Sequence, residues 1–251
     1  MKHLYLLILI FTYSLGCTTE HQEIERFSEE IGQEKMAALN QLVASYEHFL
    51  FTKYPDPVKI SDKTFLFLED VKENNSLSIR NLPNTPAILK LMEESGLRKD
   101  IYIYNCEKSS YPSYPVDQLI PIEYPANSLD LSMNKSPSIQ NKLILPVYNQ
   151  PTEAPTNSDS TLLFNKNGLF MYALAKVKQK DRSFMTYVEV KYTYGDIHPS
   201  LFAQKHLEQL AGEELSWFQR LPLVIDIYYK LMLTKNQEEN YFLSMDKSNH
   251  Q

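Results

Sequence analysis

The chain has 251 residues and a formal net charge of −6, with 43% hydrophobic residues, which is enough for one large domain or two small ones. This acidity argues against nucleic-acid binding and against adhesion to anionic lipid by charge, since both need a basic surface. Two cysteines exclude a zinc site of clustered cysteines, and six glycines without any G-x-G exclude the loops that cradle phosphates.

A short apolar run opens the chain. Lys2 precedes residues 4–15, which carry no charge. Such a run is too short to cross a bilayer, which takes about 20 residues, but it suits the hydrophobic region of a secretory signal. Ser14 and Gly16 are small residues of the kind that a signal peptidase accepts. We therefore predict a signal at residues 1–16, with cleavage after Gly16.

The four residues Ser14-Leu15-Gly16-Cys17 resemble the lipobox of bacterial lipoproteins, with Ser14 and Leu15 transposed relative to the common order. This resemblance implies a diacylglyceryl group on the sulfur of Cys17 and fatty acids such as palmitate in the anchor. The composition, rich in Asn, Lys and Tyr, is similar to that of lipoproteins of the Bacteroidota. It implies a chain held by lipid on the periplasmic or outer face of a bacterial envelope. The alternatives are secretion without lipid and an uncleaved apolar helix.

Residues 17–22 are predicted to be a tether, and residues 23–251 a single, mainly helical domain. From Ile24 to Leu50, apolar residues recur at three- and four-residue steps, which predicts one long helix. Pro55 ends this helix, because a proline disfavours helical geometry in the residue before it.

Two shorter helices and a strand are predicted next. The first helix spans residues 62–73, and the second is capped by Thr85, begins at Pro86 and ends at Gly96. Residues 100–104 are β-branched and aromatic, which predicts a short strand.

Residues from about 108 to 160 are rich in proline and tyrosine. Eight of the 14 prolines lie between Pro112 and Pro155. Proline at this density prevents long helices and central strands, so we predict a long irregular segment laid over the helical body. Its tyrosines either anchor it to the helices or form a binding surface.

The pattern of residues 161–194 fits two structures. Asn167-Gly168 suits the turn of a small β-hairpin. The apolar spacing of residues 169–179 and 183–194 suits two helices, which we favour.

The C-terminal part of the chain is predicted to be helical. The helices span about residues 200–211 and 213–233, and Pro222 interrupts or divides the second. Trp217 is expected to pack in the core, and the polar residues after 233 are expected to fray.

No familiar catalytic motif occurs, and we expect no catalytic residue, metal or cofactor. One weak candidate site remains: Asp196, His198 and His206, around a predicted helix start. The histidines lie about two helical turns apart, unlike the one-turn spacing of H-x-x-x-H metal sites, and Asp196 suits a turn before Pro199. Cys106 has no histidine within forty residues and is expected to be an inert thiol.

These features together predict a cell-envelope lipoprotein that binds a protein or glycan partner without catalysis. The alternatives are a membrane-tethered hydrolase with a site assembled from distant residues, and a periplasmic immunity-type inhibitor whose acidity would suit a basic toxin. A pocket that gathers His198, His206 or Cys106 with carboxylates would favour the hydrolase. A tyrosine-rich surface would favour binding.

Overall fold

The computed structural model describes residues 20–73, 85–121, 161–209 and 215–234. These residues are mainly helical with one small antiparallel sheet, as the sequence predicts. The predicted signal peptide at residues 1–16, the lipidation site Cys17 and the later part of the proline- and tyrosine-rich region, residues 122–160, lie outside the described residues.

In chain order, the helices are α1 (residues 20–31), α2 (Gln33–Lys53), α3 (Ile60–Lys72), α4 (Thr85–Glu94), α5 (Leu97–Ile101), α6 (Leu169–Val177), α7 (Arg182–Tyr194), α8 (Pro199–Gln209) and α9 (Trp217–Leu223). Helix α9 continues as a π-helical segment, Val224–Tyr229, and the chain stays helical to residue 234. The strands are β1 (Tyr102–Tyr104) and β2 (Leu162–Phe164), and short 3-10 helices span Asn105–Glu107 and Val116–Leu119.

The long N-terminal helix is divided at Gly32, which corrects the prediction of one continuous helix. Gly32 has a φ of +88° and a ψ of 149°, a backbone conformation that is essentially restricted to glycine. Helical hydrogen bonds continue on both sides of this residue: the Gly32 N–H donates to the Ser28 carbonyl, and the Met36 N–H donates to the Gly32 carbonyl. Residues 20–22, which the sequence assigned to the tether, are already helical.

The next helices match their sequence signals, and the predicted strand is shorter than expected. Helix α4 begins at Thr85, and Gly96, with a φ of +76°, separates it from α5. Asp100 and Ile101 complete α5, so only residues 102–104 of the predicted strand are extended.

The two strands come from distant parts of the chain. Tyr102 lies opposite Phe164 and Tyr104 lies opposite Leu162 in an antiparallel pair. The residues after Gly168 form α6 and α7, so the favoured helical interpretation of this region is confirmed.

Pro222 does not divide the last helix, because residues 217–234 are continuously helical. The π-helical segment begins at Val224, two residues after this proline. Proline lacks the N–H of a regular helical bond, yet the helix stays continuous across it.

Aromatic rings make up much of the core. Phe27 on α1 has edge-to-face contacts with Phe170, Trp217 and Phe218, with ring centroids 5.8–6.0 Å apart. Trp217 is thus half-buried against the core, as expected. None of the helices in the described ranges is long and apolar enough to span a bilayer.

Candidate functional site

A cleft of about 450 Å³ opens at one end of the sheet, within the size range of small-molecule sites. Its walls come from β1 and the residues that follow it, from β2 and the turn that leads to α6, and from the C-terminal end of α7 with the two residues after it. The lining residues are Ile103, Lys108, Tyr111, Pro112, Ser113, Leu163, Phe164, Asn165, Lys166, Asn167, Tyr194, Gly195 and Asp196.

The described part of the proline- and tyrosine-rich region, residues 108–121, forms one wall of the cleft and is anchored by its tyrosines. The Tyr111 hydroxyl donates to Asp100 Oδ1 over 2.5 Å. The Tyr114 ring packs on Tyr172 with centroids 5.6 Å apart, and the Tyr114 N–H donates to the Asn167 carbonyl. Burial and the hydrogen bond to Asp100 raise the pKa of Tyr111, so its hydroxyl remains a donor.

The floor of the cleft is fixed to α5 by hydrogen bonds. The Asn165 side-chain amide donates to the Lys99 carbonyl, and the Asn165 backbone N–H donates to the Ile101 carbonyl, both over 2.8 Å. Asp100 itself is buried, with one carboxylate oxygen 2.6 Å from the Lys35 ammonium. These contacts attach the β2–α6 turn to α5.

Asp196 lies at the rim of the cleft and belongs to a row of alternating charges. Its carboxylate is 2.9 Å from the Lys230 ammonium and 3.9 Å from that of Lys191. Lys191 is fully buried and lies 2.7 Å from Asp226, which is 2% exposed. The two lysines and two carboxylates of this charge row balance one another.

The charge row contacts the cleft wall from behind. The Lys191 ammonium is 3.8 Å from the centroid of the Phe164 ring, a favourable cation–π distance. The Tyr187 hydroxyl donates to Asp226 over 2.8 Å. Burial and the negative charge of Asp226 raise the pKa of Tyr187 well above its usual value, so this hydroxyl stays protonated.

Of the three residues singled out in the sequence, only Asp196 lines the cleft. His198 is exposed, with Nδ1 2.7 Å from the Ser200 hydroxyl. His206 packs on Phe202 with ring centroids 4.4 Å apart, and burial lowers its pKa to about 4, so it is neutral at pH 7. The predicted cluster is therefore not assembled.

Two residues of the charge row were not identified from the sequence, although each left a signal. Lys191 continues the apolar stripe of α7, one turn after the buried Val188. Asp226 is the one charge in the apolar run from Leu223 to Tyr229. Charged residues are rarely fully buried unless paired, so a lysine and an aspartate on apolar faces of different helices could have been expected to meet.

Cys106 lies in an exposed 3-10 turn and does not line the cleft. Within the described ranges, no group of three or more His, Cys, Asp or Glu residues could hold a metal ion. The cleft offers aromatic rings, side-chain amides, a hydroxyl and ammonium groups, which suits reversible binding of a polar ligand.

Comparison of the chain with protein-family models, with curated proteins and with solved structures finds no match.

Proposed function

We propose that this chain is an exported, lipid-anchored protein of a bacterial cell envelope, and that its domain binds a glycan in the cleft without catalysis. The lining of the cleft supports this function most directly. It combines the rings of Tyr111 and Tyr194 with the neutral polar side chains of Ser113 and Asn167. Aromatic rings pack against the apolar faces of sugars, while amides and hydroxyls match their hydroxyl groups.

A protein partner fits the cleft less well. A bound peptide commonly adds a strand to the edge of a sheet, where its main chain gains hydrogen bonds. Strands β1 and β2 have three residues each, which leaves few main-chain groups for such a ladder. The neutral polar side chains of the lining, in contrast, can form hydrogen bonds with the hydroxyl groups of a sugar.

Hydrolysis of a glycan has less support than binding. Glycosidases use two carboxylates that flank the scissile bond. Among the described residues, Asp196 is the one carboxylate in the lining, and its charge is already balanced by Lys230 and Lys191. The alternative of an immunity-type inhibitor depends on net charge and gains nothing from the cleft.

Replacement of Tyr194 by alanine tests the binding function. The ring is 59% exposed, so its removal should leave folding intact. We expect affinity for a bound oligosaccharide to fall about fivefold, since one ring contact is worth about 1 kcal/mol and 1.4 kcal/mol corresponds to a factor of ten. Glycan-array screening of the mature chain, followed by calorimetry on the bound glycans, measures this effect.

The matched control is Phe51→Ala, which removes a ring that is 50% exposed on α2 and lies outside the cleft lining. Its affinity should equal that of the wild type. Absence of glycan binding, or equal losses in the two variants, would contradict the proposal.

Replacement of Cys17 by serine tests the lipid anchor. We expect the variant to leave the membrane fraction and to lose a mass of several hundred daltons, because the acyl chains supply the membrane affinity. Cell fractionation and mass spectrometry of the intact chain measure both effects. Cys106→Ser is the control and should stay in the membrane fraction. If Cys17→Ser fractionates like the wild type, the anchor is wrong.

A further inference from the structure

We propose that the cleft selects an acidic saccharide, in which a sugar ring carries a carboxylate, and that Lys108 and Lys166 bind this group. The inference rests on the proposed glycan-binding function and specifies its ligand. The described residues of the cleft carry a positive net charge, whereas the formal net charge of the whole chain is −6.

The charge of the lining is not neutralised by Asp196. Lys230 and Lys191 contact this carboxylate at 2.9 and 3.9 Å, and Asp226 balances Lys191 at 2.7 Å. The charge row therefore sums to zero without Lys108 or Lys166. Counted over the described residues, these two ammonium groups give the cleft a net charge of about +2.

Neither lysine has a counter-ion among the residues that the structure describes. Other lysines of the domain do form ion pairs, as shown by Lys35 with Asp100, Lys176 with Glu30 and Lys178 with Glu23. An exposed ammonium beside apolar rings and amides is available to an anion of the ligand. A carboxylate would gain charge-assisted hydrogen bonds there.

The carboxylate nearest to Lys108 in sequence is already committed. Glu107 accepts two hydrogen bonds from the Arg98 guanidinium, over 2.5 and 2.9 Å, and lies 3.3 Å from the Lys99 ammonium. These bonds hold the pKa of Glu107 at about 2. The turn that leads into Lys108 is thus fixed, and its acidic residue faces other partners.

The Lys166 side chain contacts an aromatic ring. The Lys166 ammonium lies 4.9 Å from the centroid of the Tyr192 ring. The backbone N–H of Lys166 donates to the Phe164 carbonyl over 3.1 Å. A cation held on a ring loses less conformational freedom when a ligand binds, which raises its contribution to affinity.

The sugar part of the ligand follows from the rest of the lining. An acidic peptide would use the same lysines but would leave the exposed Tyr194 ring without the apolar sugar face against which it can pack. A ring that carries hydroxyls and one carboxylate can use all of these groups at once. The volume of about 450 Å³ also suits a short oligosaccharide.

The test compares three probes by calorimetry on the mature full-length chain: trigalacturonic acid, the neutral galactotriose, and triglutamate with capped ends. We expect trigalacturonic acid to bind at least tenfold more tightly than either of the others. Lys166→Gln should weaken its binding about fivefold, and Lys108→Gln/Lys166→Gln about twentyfold. Raising NaCl from about 50 to about 500 mM should weaken the wild type more than the double variant.

The control variant is Lys53→Gln, at the exposed end of α2 and outside the cleft, whose affinity should not change. Equal binding of galactotriose, or a double variant that binds like the wild type, overturns the acidic ligand while Tyr194-dependent glycan binding still stands. Triglutamate binding as tight as that of trigalacturonic acid overturns the sugar. Absence of binding to any glycan overturns the proposed function as well.

Discussion

Replacement of Asp226 by alanine is expected to lower the free energy of unfolding by about 3–5 kcal/mol, because it leaves a buried ammonium without its counter-ion. Lys191 is 0% exposed, and its ammonium lies 2.7 Å from the Asp226 carboxylate. The remaining carboxylate, Asp196, is 3.9 Å away and already pairs with Lys230. The Tyr187 hydroxyl also loses its acceptor. Urea unfolding at pH 7 measures the loss.

Two further variants separate the charge from the hydrogen bond. Asp226→Asn keeps an acceptor for Tyr187 but removes the charge, so its loss should be smaller than that of alanine. Lys191→Met/Asp226→Leu removes both charges and should recover at least half of the loss, because a buried ion pair is costly chiefly when one partner is missing. If the double variant is as unstable as Asp226→Ala, the unpaired charge is not the cause.

An exposed carboxylate provides the baseline for these measurements. Asp117 lies on the surface in a short 3-10 turn. Asp117→Ala should change the free energy of unfolding by less than about 0.5 kcal/mol, as is usual for surface positions. A comparable loss there would mean that acidic residues stabilise the chain in a general way.

The charge row also links stability to the cleft. The Lys191 ammonium contacts the Phe164 ring, which forms part of the cleft wall, and its second carboxylate, Asp196, forms the rim. Loss of Asp226 would therefore leave the Lys191 ammonium without its nearest counter-ion, next to the Phe164 ring of the cleft wall. The buried ion pair is thus part of the core and lies next to two residues of the cleft lining.

Local signals predicted the helices well. Thr85, Pro86 and Gly96 define α4 because a cap, a first-turn proline and a left-handed glycine act within a few residues. The division at Gly32 was missed because the apolar spacing continues across it, with both Ile31 and Met36 buried. Periodicity reports which side of a helix is buried, and it does not change when the helix bends.

Features that depend on contacts between distant residues could not be predicted from the sequence. The β-branched Ile101 favoured a strand, but the chain is helical there and the neighbouring Asp100 is held by Lys35 and Tyr111. The partner of β1 comes from the far side of the proline- and tyrosine-rich region, and no local pattern identifies it.

The candidate site was predicted only in part. The tyrosines of residues 108–121 were expected either to anchor the segment or to form a binding surface. The Tyr111 hydroxyl anchors the segment by donating to Asp100, and Tyr111 also lines the cleft, where binding stays a proposal. Asp196 was singled out for its neighbour His198. Its ion-pair partners in the structure are Lys191, on α7, and Lys230, on the last helix. Spacing along the chain cannot identify such partners.

Replacement of Gly168 by alanine is expected to lower the free energy of unfolding by about 3 kcal/mol, at the upper end of the cost of overpacking. A Cβ atom at this position would lie 2.0 Å from the Asp100 carbonyl oxygen and 2.9 Å from the Asn165 side-chain nitrogen. The first obstacle is backbone, which cannot rotate away. The variant must therefore separate the start of α6 from the end of α5. Urea unfolding measures the cost.

The reason for this glycine is space, since its φ of −73° is one that any residue adopts. Gly32→Ala is the matched control, because its φ of +88° is strained for alanine while no atom lies within 4 Å of the new Cβ. It should cost about 1–3 kcal/mol, the usual range for a side chain held in a backbone conformation that is essentially restricted to glycine, and it should leave glycan binding unchanged. A larger loss at Gly32 than at Gly168 would contradict the packing argument. A larger loss at Gly168, accompanied by weaker glycan binding, would show that the close contact between α5 and α6 shapes the floor of the cleft.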